Sequence, residues 1–269
     1  MTVSDQVDRV TPADGLHRAP RLVGARSALS LLTAVVLGLA AWQVATWISN
    51  GWIPSVRDIA VAMARTVQSG LFWDGARITS WRIAQAFLGA TTLGIVIGTA
   101  MGLNRYVEAF FRPLTVIALA IPDPVYIIFA ILILGTDESS GVIALTAAVL
   151  PFVITIVHGS VKARDRQLDD MSKVYRLGRR RHLWHVLARQ ITPSLVVAAR
   201  TSFAFAWKIV VLVEAISQPE GVGAQIYRAF RLLRADELIA IAVLFIVIMR
   251  VVDSLVFGPL ERRLMAWAQ

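Results

Sequence analysis

Four ionisable residues stand inside apolar runs of membrane length: Asp123, Arg200, Lys208 and Glu214. A charge in hydrocarbon is costly. Residues of this kind pair with one another, face a water-filled cavity or line the route of a solute. Lys208 and Glu214 lie six apart and do not share a helix face closely. For Arg200 and Lys208 two readings stand side by side, a structural ion pair or snorkelling, and a place along a pathway. Arg82, Arg250 and Asp253 fall near the ends of apolar runs, where long side chains are expected to snorkel to the interface. His182 and His185 are three apart, but no further ligands flank them, so a metal site is not expected. The sequence holds no G-x-x-x-x-G-K-[ST] phosphate loop, and the chain is not expected to bind ATP phosphates itself. No nucleophile–base pair and no cluster of polar groups at one depth points to an enzyme.

A second concentration of chemistry is the stretch 162–193, KARDRQLDDMSKVYRLGRRRHLWHVLARQITP, with nine of the 27 lysines and arginines. Apolar residues are spaced through it. Leu168, Met171, Val174 and Tyr175 fall on one helical face, and Leu183, Val186, Leu187 and Ile191 on another. Gly178 stands between them where a C-terminal cap would go. The pattern predicts two short amphipathic helices joined at a glycine, suited to gripping another protein at a membrane surface.

The elements that position these residues are apolar. The 269 residues are 57% hydrophobic and 17% charged, without cysteine, which excludes disulfides and thiolate metal sites. Continuous apolar runs define an all-α polytopic membrane protein, and six transmembrane helices are expected. Residues 1–26 form a polar, basic tail. Residues 27–48 read as the first span, a retained helix rather than a signal peptide. Residues 49–77 are expected outside the bilayer, with an interfacial helix after Pro54 and Trp47, Trp52, Phe72 and Trp73 as headgroup-level anchors. The second span, 78–103, carries Gly89, Gly94, Gly98 and Gly102, a spacing that lets helices approach closely in lipid. A polar turn is expected at 104–113. The third span, 114–134, is broken at Pro122-Asp123-Pro124, and a broken helix at depth needs protein or a water-filled cavity around it. Pro122, Asp123 and the neighbouring Tyr126 are therefore pathway candidates, with Arg200, Lys208 and Glu214. The fourth span is 141–161, the fifth 194–213 and the sixth 238–257, so that 78–258 forms a five-helix core and 259–269 a C-terminal tail.

Six spans put both termini on one side. If that side is the cytoplasm it holds 17 basic residues, against six on the other. This matches the positive-inside rule and accounts for most of the +9 charge, which is therefore no sign of nucleic acid.

The 162–193 segment resembles the cytoplasmic coupling loop of binding-protein-dependent ABC importer permeases. In that family a Glu-Ala-Ala triplet precedes a glycine, an apolar helix and a proline. Gly178 and Pro193 match, and Ser172-Lys173-Val174 stand at the triplet. Other stretches are similar to the nitrate, taurine and aliphatic-sulfonate branch: Ile78 to Arg82, Met101 to Arg105, Gly135 to Ser139, Arg200 with Ala206-Trp207, Glu214, Gly221 to Gly223, and Leu260 to Arg263 through Trp267. The third span departs from that branch, with Ile133-Leu134 in place of Trp-Phe and Pro124 extra.

The resemblance implies a permease in a bacterial inner membrane, acting with a second permease copy or sister permease. It implies two ATP-binding subunits that hold ATP and Mg, and a substrate-binding protein outside. It places ATPase coupling on Leu168, Met171, Ser172, Lys173, Val174, Tyr175 and Gly178, with no cofactor in this chain. A self-sufficient carrier or channel is the competing expectation. Carriers of that kind often show paired broken helices in internal repeats, and no convincing repeat is present.

Overall fold

The computed structural model describes residues 23–49 and 52–265. The expected tail over 1–22 and the last four residues lie outside the described residues. The chain divides into two compact units, 1–56 and 57–269. In the first, α1 (Val23–Ile48) is apolar over Leu32–Ile48. A short turn follows it, in which the Trp42 indole and the Thr46 hydroxyl both donate to the Pro54 carbonyl, at 3.0 and 3.3 Å.

The second unit is built on α3 (Gly70–Leu103), α6 (Glu138–Lys162) and α9 (Ala188–Ser217). The glycine stripe decides how α3 meets α6. A Cβ added at Gly98 would lie 2.8 Å from Val157 Cβ and 2.9 Å from the Ile154 carbonyl oxygen. At Gly94 it would overlap Val153, and at Gly102 Val161. Those three valines are fully buried. Missing side chains on one helix thus receive β-branched ones on the other, at matched four-residue spacing. In lipid this close fit works through dispersion contacts, since hydrocarbon is no less apolar than the valines it replaces. Gly89 is different: its nearest neighbour is the Thr146 methyl at 3.4 Å, an ordinary contact.

Several sequence expectations are corrected. The second span begins at Gly70, so residues 70–77 belong to the helix, and Phe72, expected as an interfacial anchor, is buried in the core at 1% exposure. The interfacial helix α2 (Val56–Gln68) precedes it. The expected turn at 104–113 is helical. Asn104 caps α4 (Arg105–Ala120), its side chain accepting from Tyr106 N–H at 2.9 Å, and Pro113 is carried inside the helix. The third span is not one interrupted rod. Helix α4 and α5 (Asp123–Leu134) meet at 102°, because Ile121, forced extended by the proline after it, turns the chain before Pro122 caps α5. The expected first span, α1, has a shorter apolar part, Leu32–Ile48. Among the described residues four helices are long and apolar enough to cross a membrane, and a fifth if α4 and α5 count as one.

The segment 162–193 also differs. Helix α7 (Arg166–Val174) forms as expected, but no second short helix follows. Residues Arg179–Arg181 (α8) pass through a π-helical stretch, His182–Leu187, straight into α9, with Pro193 inside it. The expected boundary at 194 does not exist. The cap is not Gly178 either. Arg176 takes the left-handed conformation at φ 49°, and Leu177 N–H reaches back to the Ser172 carbonyl at 2.9 Å, the six-to-one bond of a Schellman turn. Gly178 instead opens the next helix, its carbonyl accepting from His182 N–H at 3.0 Å. The loop before α11 (Ala235–Met265) holds the short helix α10 (Val222–Arg231).

Candidate coupling surface and pathway residues

Helix α7 is inside out by the standard of a soluble protein. Its polar residues Asp169 and Ser172 are buried, at 9% and 3% exposure. Its apolar residues Leu168, Met171, Val174 and Tyr175 are exposed, at 38%, 47%, 80% and 73%. The side chain of Lys173 lies outside the described residues.

The polar side is an anchor. Arg164 donates through Nε to Asp169 Oδ2 at 2.8 Å, and through Nη1 to the Val161 and Gly102 carbonyls at 2.8 and 3.4 Å. One guanidinium thereby caps the C-terminal ends of α3 and α6 and ties both to α7. Ser172 Oγ donates to the Asp169 carbonyl at 2.6 Å and lies 2.8 Å from His182 Nδ1, while His182 Nε2 is 3.6 Å from Asp169 Oδ1. Asp165 N–H donates to Gln190 Oε1 at 2.8 Å, a further tie to α9. The loop is thus fixed to three long helices, with its apolar face turned away from them. Sequence reasoning found that face but missed the anchor. The signal was the i, i+3 pair Asp169 and Ser172 on the opposite side.

The opposite end of α3 and α9 carries a second polar cluster. Glu214 has no exposed surface. Its carboxylate accepts from Arg82 Nη1 at 2.9 Å, from Gly223 N–H at 2.9 Å and from Thr79 Oγ1, which is 2.9 and 2.8 Å from the two oxygens. Thr79 Oγ1 in turn accepts from Val222 N–H at 2.9 Å. Arg82 also donates to the Glu220 carbonyl at 2.7 Å and to Gln218 Oε1 at 3.4 Å, and its Nε faces Glu138 Oε1 at 3.7 Å. At 4% exposure Arg82 does not snorkel, contrary to its expected role. It neutralises Glu214 inside the bundle, as a buried carboxylate requires. Gly221 makes the turn possible. It sits at φ 121°, and a Cβ there would run into the Glu214 carboxylate.

The remaining pathway candidates are dispersed. Asp123 occupies the first turn of α5 behind the Pro122 cap, a favourable place for a negative charge. Tyr126 OH donates to the Ala118 carbonyl at 2.7 Å, a second bond to an acceptor that Ile121 N–H reaches at 3.3 Å, and so ties α5 back to the end of α4. Arg200 on α9 pairs with Asp253 on α11, Nη2 to Oδ2 at 3.1 Å, and Arg250 meets the same oxygen at 3.0 Å. Lys208 is exposed, its ammonium 6.0 Å from the Trp207 ring centroid. Asp123, Arg200, Lys208 and Glu214 do not converge within one chain. Among the described residues no group of three His, Asp or Glu side chains could hold a metal ion.

Long apolar helices packed through glycine, a bent helix pair and an amphipathic helix held outside the bundle are the architecture of a polytopic helical membrane protein. The chain belongs to the family of binding-protein-dependent transport system inner membrane components, whose model matches residues 90–264. It is similar to the putative aliphatic sulfonates transport permease protein SsuC of Bacillus subtilis (strain 168), 26% identical over 241 residues, which are 88% of this chain and 86% of that protein. It is also similar to the taurine transport system permease protein TauC of Escherichia coli (strain K12), 24% identical over 246 residues and 89% of each chain. The bicarbonate transport system permease protein CmpB of Synechococcus elongatus is 25% identical over 206 residues, 76% of this chain and 70% of that one. A chain of the inward-facing MetNI methionine ABC transporter has the same fold. Its TM-score is 0.60 at 18% identity, covering 71% of this chain and 96% of that chain. The protein is therefore the membrane-spanning permease subunit of an ABC importer, and such subunits are not themselves enzymes.

Proposed function

We propose that α7 is the handle by which two ATP-binding subunits, carrying ATP and Mg, drive this permease from the cytoplasm. The observation that carries the reading is the outward apolar face of Leu168, Met171, Val174 and Tyr175 on a helix whose polar side is anchored inward. A free apolar face beside the bilayer is stable when a protein groove covers it. ATP-driven closure of the partners would move α7, and its ties through Arg164 and His182 would pass that motion to α3, α6 and α9. A carrier working alone has no use for such a face. The charge bias supports a cytoplasmic position for α7 and both termini. A second permease copy would complete the pathway, and a substrate-binding protein would deliver solute from outside. The cargo is a small polar or anionic solute: the names of the relatives support a sulfonate, taurine or bicarbonate, and the resemblance read from the sequence adds nitrate. The test is Met171→Asp with Val174→Asp. Loss of the ATP-binding subunit on affinity purification, with the permease still in the membrane, is expected. Normal assembly and uptake would overturn the docking assignment.

A further inference from the structure

The groove between α4 and α6 holds charges that neither the bundle nor the docking face uses. Glu108 on α4 meets Lys162 Nζ at 2.6 Å and His158 Nε2 at 3.2 Å, both on α6. The Glu108 and His158 side chains are 16% and 20% exposed, whereas Lys162 and Arg112 are exposed at the mouth of the groove. One helical turn further along α4, Arg112 makes no ion pair or hydrogen bond among the described residues. These four side chains line one end of a cavity of about 290 Å³, and Val116 and Leu119 line the other. The cavity lies at the end of the bundle where Arg164 caps α3 and α6.

We infer that this cavity binds an oxyanion carrying an apolar tail, either an anionic lipid headgroup with the start of its chains or a short alkanesulfonate. Glu108 is already compensated by Lys162, so it does not leave the mouth negative. Arg112 supplies unused, fork-shaped N–H donors that suit a phosphate or sulfonate in bidentate fashion. Lys162 uses one ammonium proton on Glu108 and keeps two for a ligand. The apolar end accepts methylene groups that a free inorganic anion would leave unmatched. Basic pockets between membrane helices on the cytoplasmic side hold anionic headgroups in this way. The leaflet depends on the orientation proposed above, whereas the site itself depends only on the geometry of α4 and α6.

The test uses the full-length permease in its purified transporter complex, in a neutral detergent. Dioleoyl phosphatidylglycerol is titrated by native mass spectrometry, and 1-hexanesulfonate by calorimetry. Arg112→Gln is compared with Arg105→Gln, which removes the same charge from α4 outside the cavity. Loss of about fivefold or more in affinity is expected for R112Q, the weight of one basic residue against an anionic headgroup, with R105Q unchanged. If only the lipid responds, the occupant is a lipid. If only the sulfonate responds, it is the solute. Absence of binding of either probe, or equal binding by wild type and R112Q, would overturn the site. Neither readout requires α7 to dock, so failure of the coupling proposal would appear separately, as loss of the ATP-binding subunit from the α7 variant.

Discussion

Glu214→Gln is the substitution that tests the architecture most directly. It preserves size and removes one charge. In the native cluster every partner of Glu214 is a donor: Arg82 Nη1, Gly223 N–H and the Thr79 hydroxyl. An amide offers one accepting oxygen and one donating nitrogen. If the oxygen faces Arg82, the NH2 group meets Gly223 N–H, and the reverse placement sets it against the guanidinium. Thr79 cannot relieve this freely, because its oxygen already accepts from Val222 N–H. Arg82, 4% exposed, is left charged without a compensating anion in contact, since Glu138 is 3.7 Å away and largely exposed. Breaking a buried pair from one side costs about 3–5 kcal/mol. That is on the order of a hundredfold to several thousandfold in the unfolding equilibrium. The assay is the unfolding midpoint of the purified transporter in titrations with a denaturing detergent. Arg82→Gln should cost a similar amount, and the double variant less than the sum of the two, because the orphaned charge is gone. An unchanged midpoint for E214Q, or strict additivity in the double variant, would refute the claim that this pair is a buried structural tie.

Two further outcomes follow from local geometry. Gly98→Leu drives a side chain into Val157 and the Ile154 carbonyl, so folded protein in the membrane should fall several-fold by fluorescence-detected size exclusion, whereas Gly89→Ala, beside only the Thr146 methyl, should leave the yield within a factor of about two. Asp123→Ala removes the charge at the start of α5 and, among the described residues, no ion pair or hydrogen bond of its side chain, so assembly should be unchanged while the concentration dependence of solute uptake shifts. Identical uptake curves would remove Asp123 from the pathway.

Much of the fold could be read from the sequence because lipid imposes simple rules. Apolar length located α1, α3, α6, α9 and α11, and glycine spacing located the α3–α6 seam. The misreadings share a cause. Residues 104–113 contain Asn, Arg, Glu and Pro and read as a turn, yet Asn104 and Glu108 are well placed at a helix start and Pro113 is tolerated within α4. Residues 179–193 read as a separate short helix because polar side chains interrupt the apolar pattern. The backbone hydrogen bonds continue through them as a π-helical stretch into α9. Of the site, one-dimensional pattern gave the apolar face of α7. It could not give Arg82 with Glu214, separated by 132 residues, or His182 with Asp169, because pairing across helices depends on rotation about each helix axis. Polarity alone sent Arg82 to the interface, whereas its partner draws it inside.

The two polar clusters explain why α9 is uninterrupted. One end, at His182, is bonded to α7 through Ser172, and the other, at Glu214, is locked to α3 and to the turn at Gly221. The helical run His182–Ser217 that holds both is 36 residues, about 54 Å at the α-helical rise. A break such as the one between α4 and α5 would let motion at α7 dissipate in the bend. Continuity through Pro193 keeps the two ends mechanically joined. The broken pair α4–α5 does not lie on that line. Yet Glu108 ties α4 to α6 through Lys162 and His158, so under the coupling proposal a motion that α7 passes to α3, α6 and α9 would carry α4 with it.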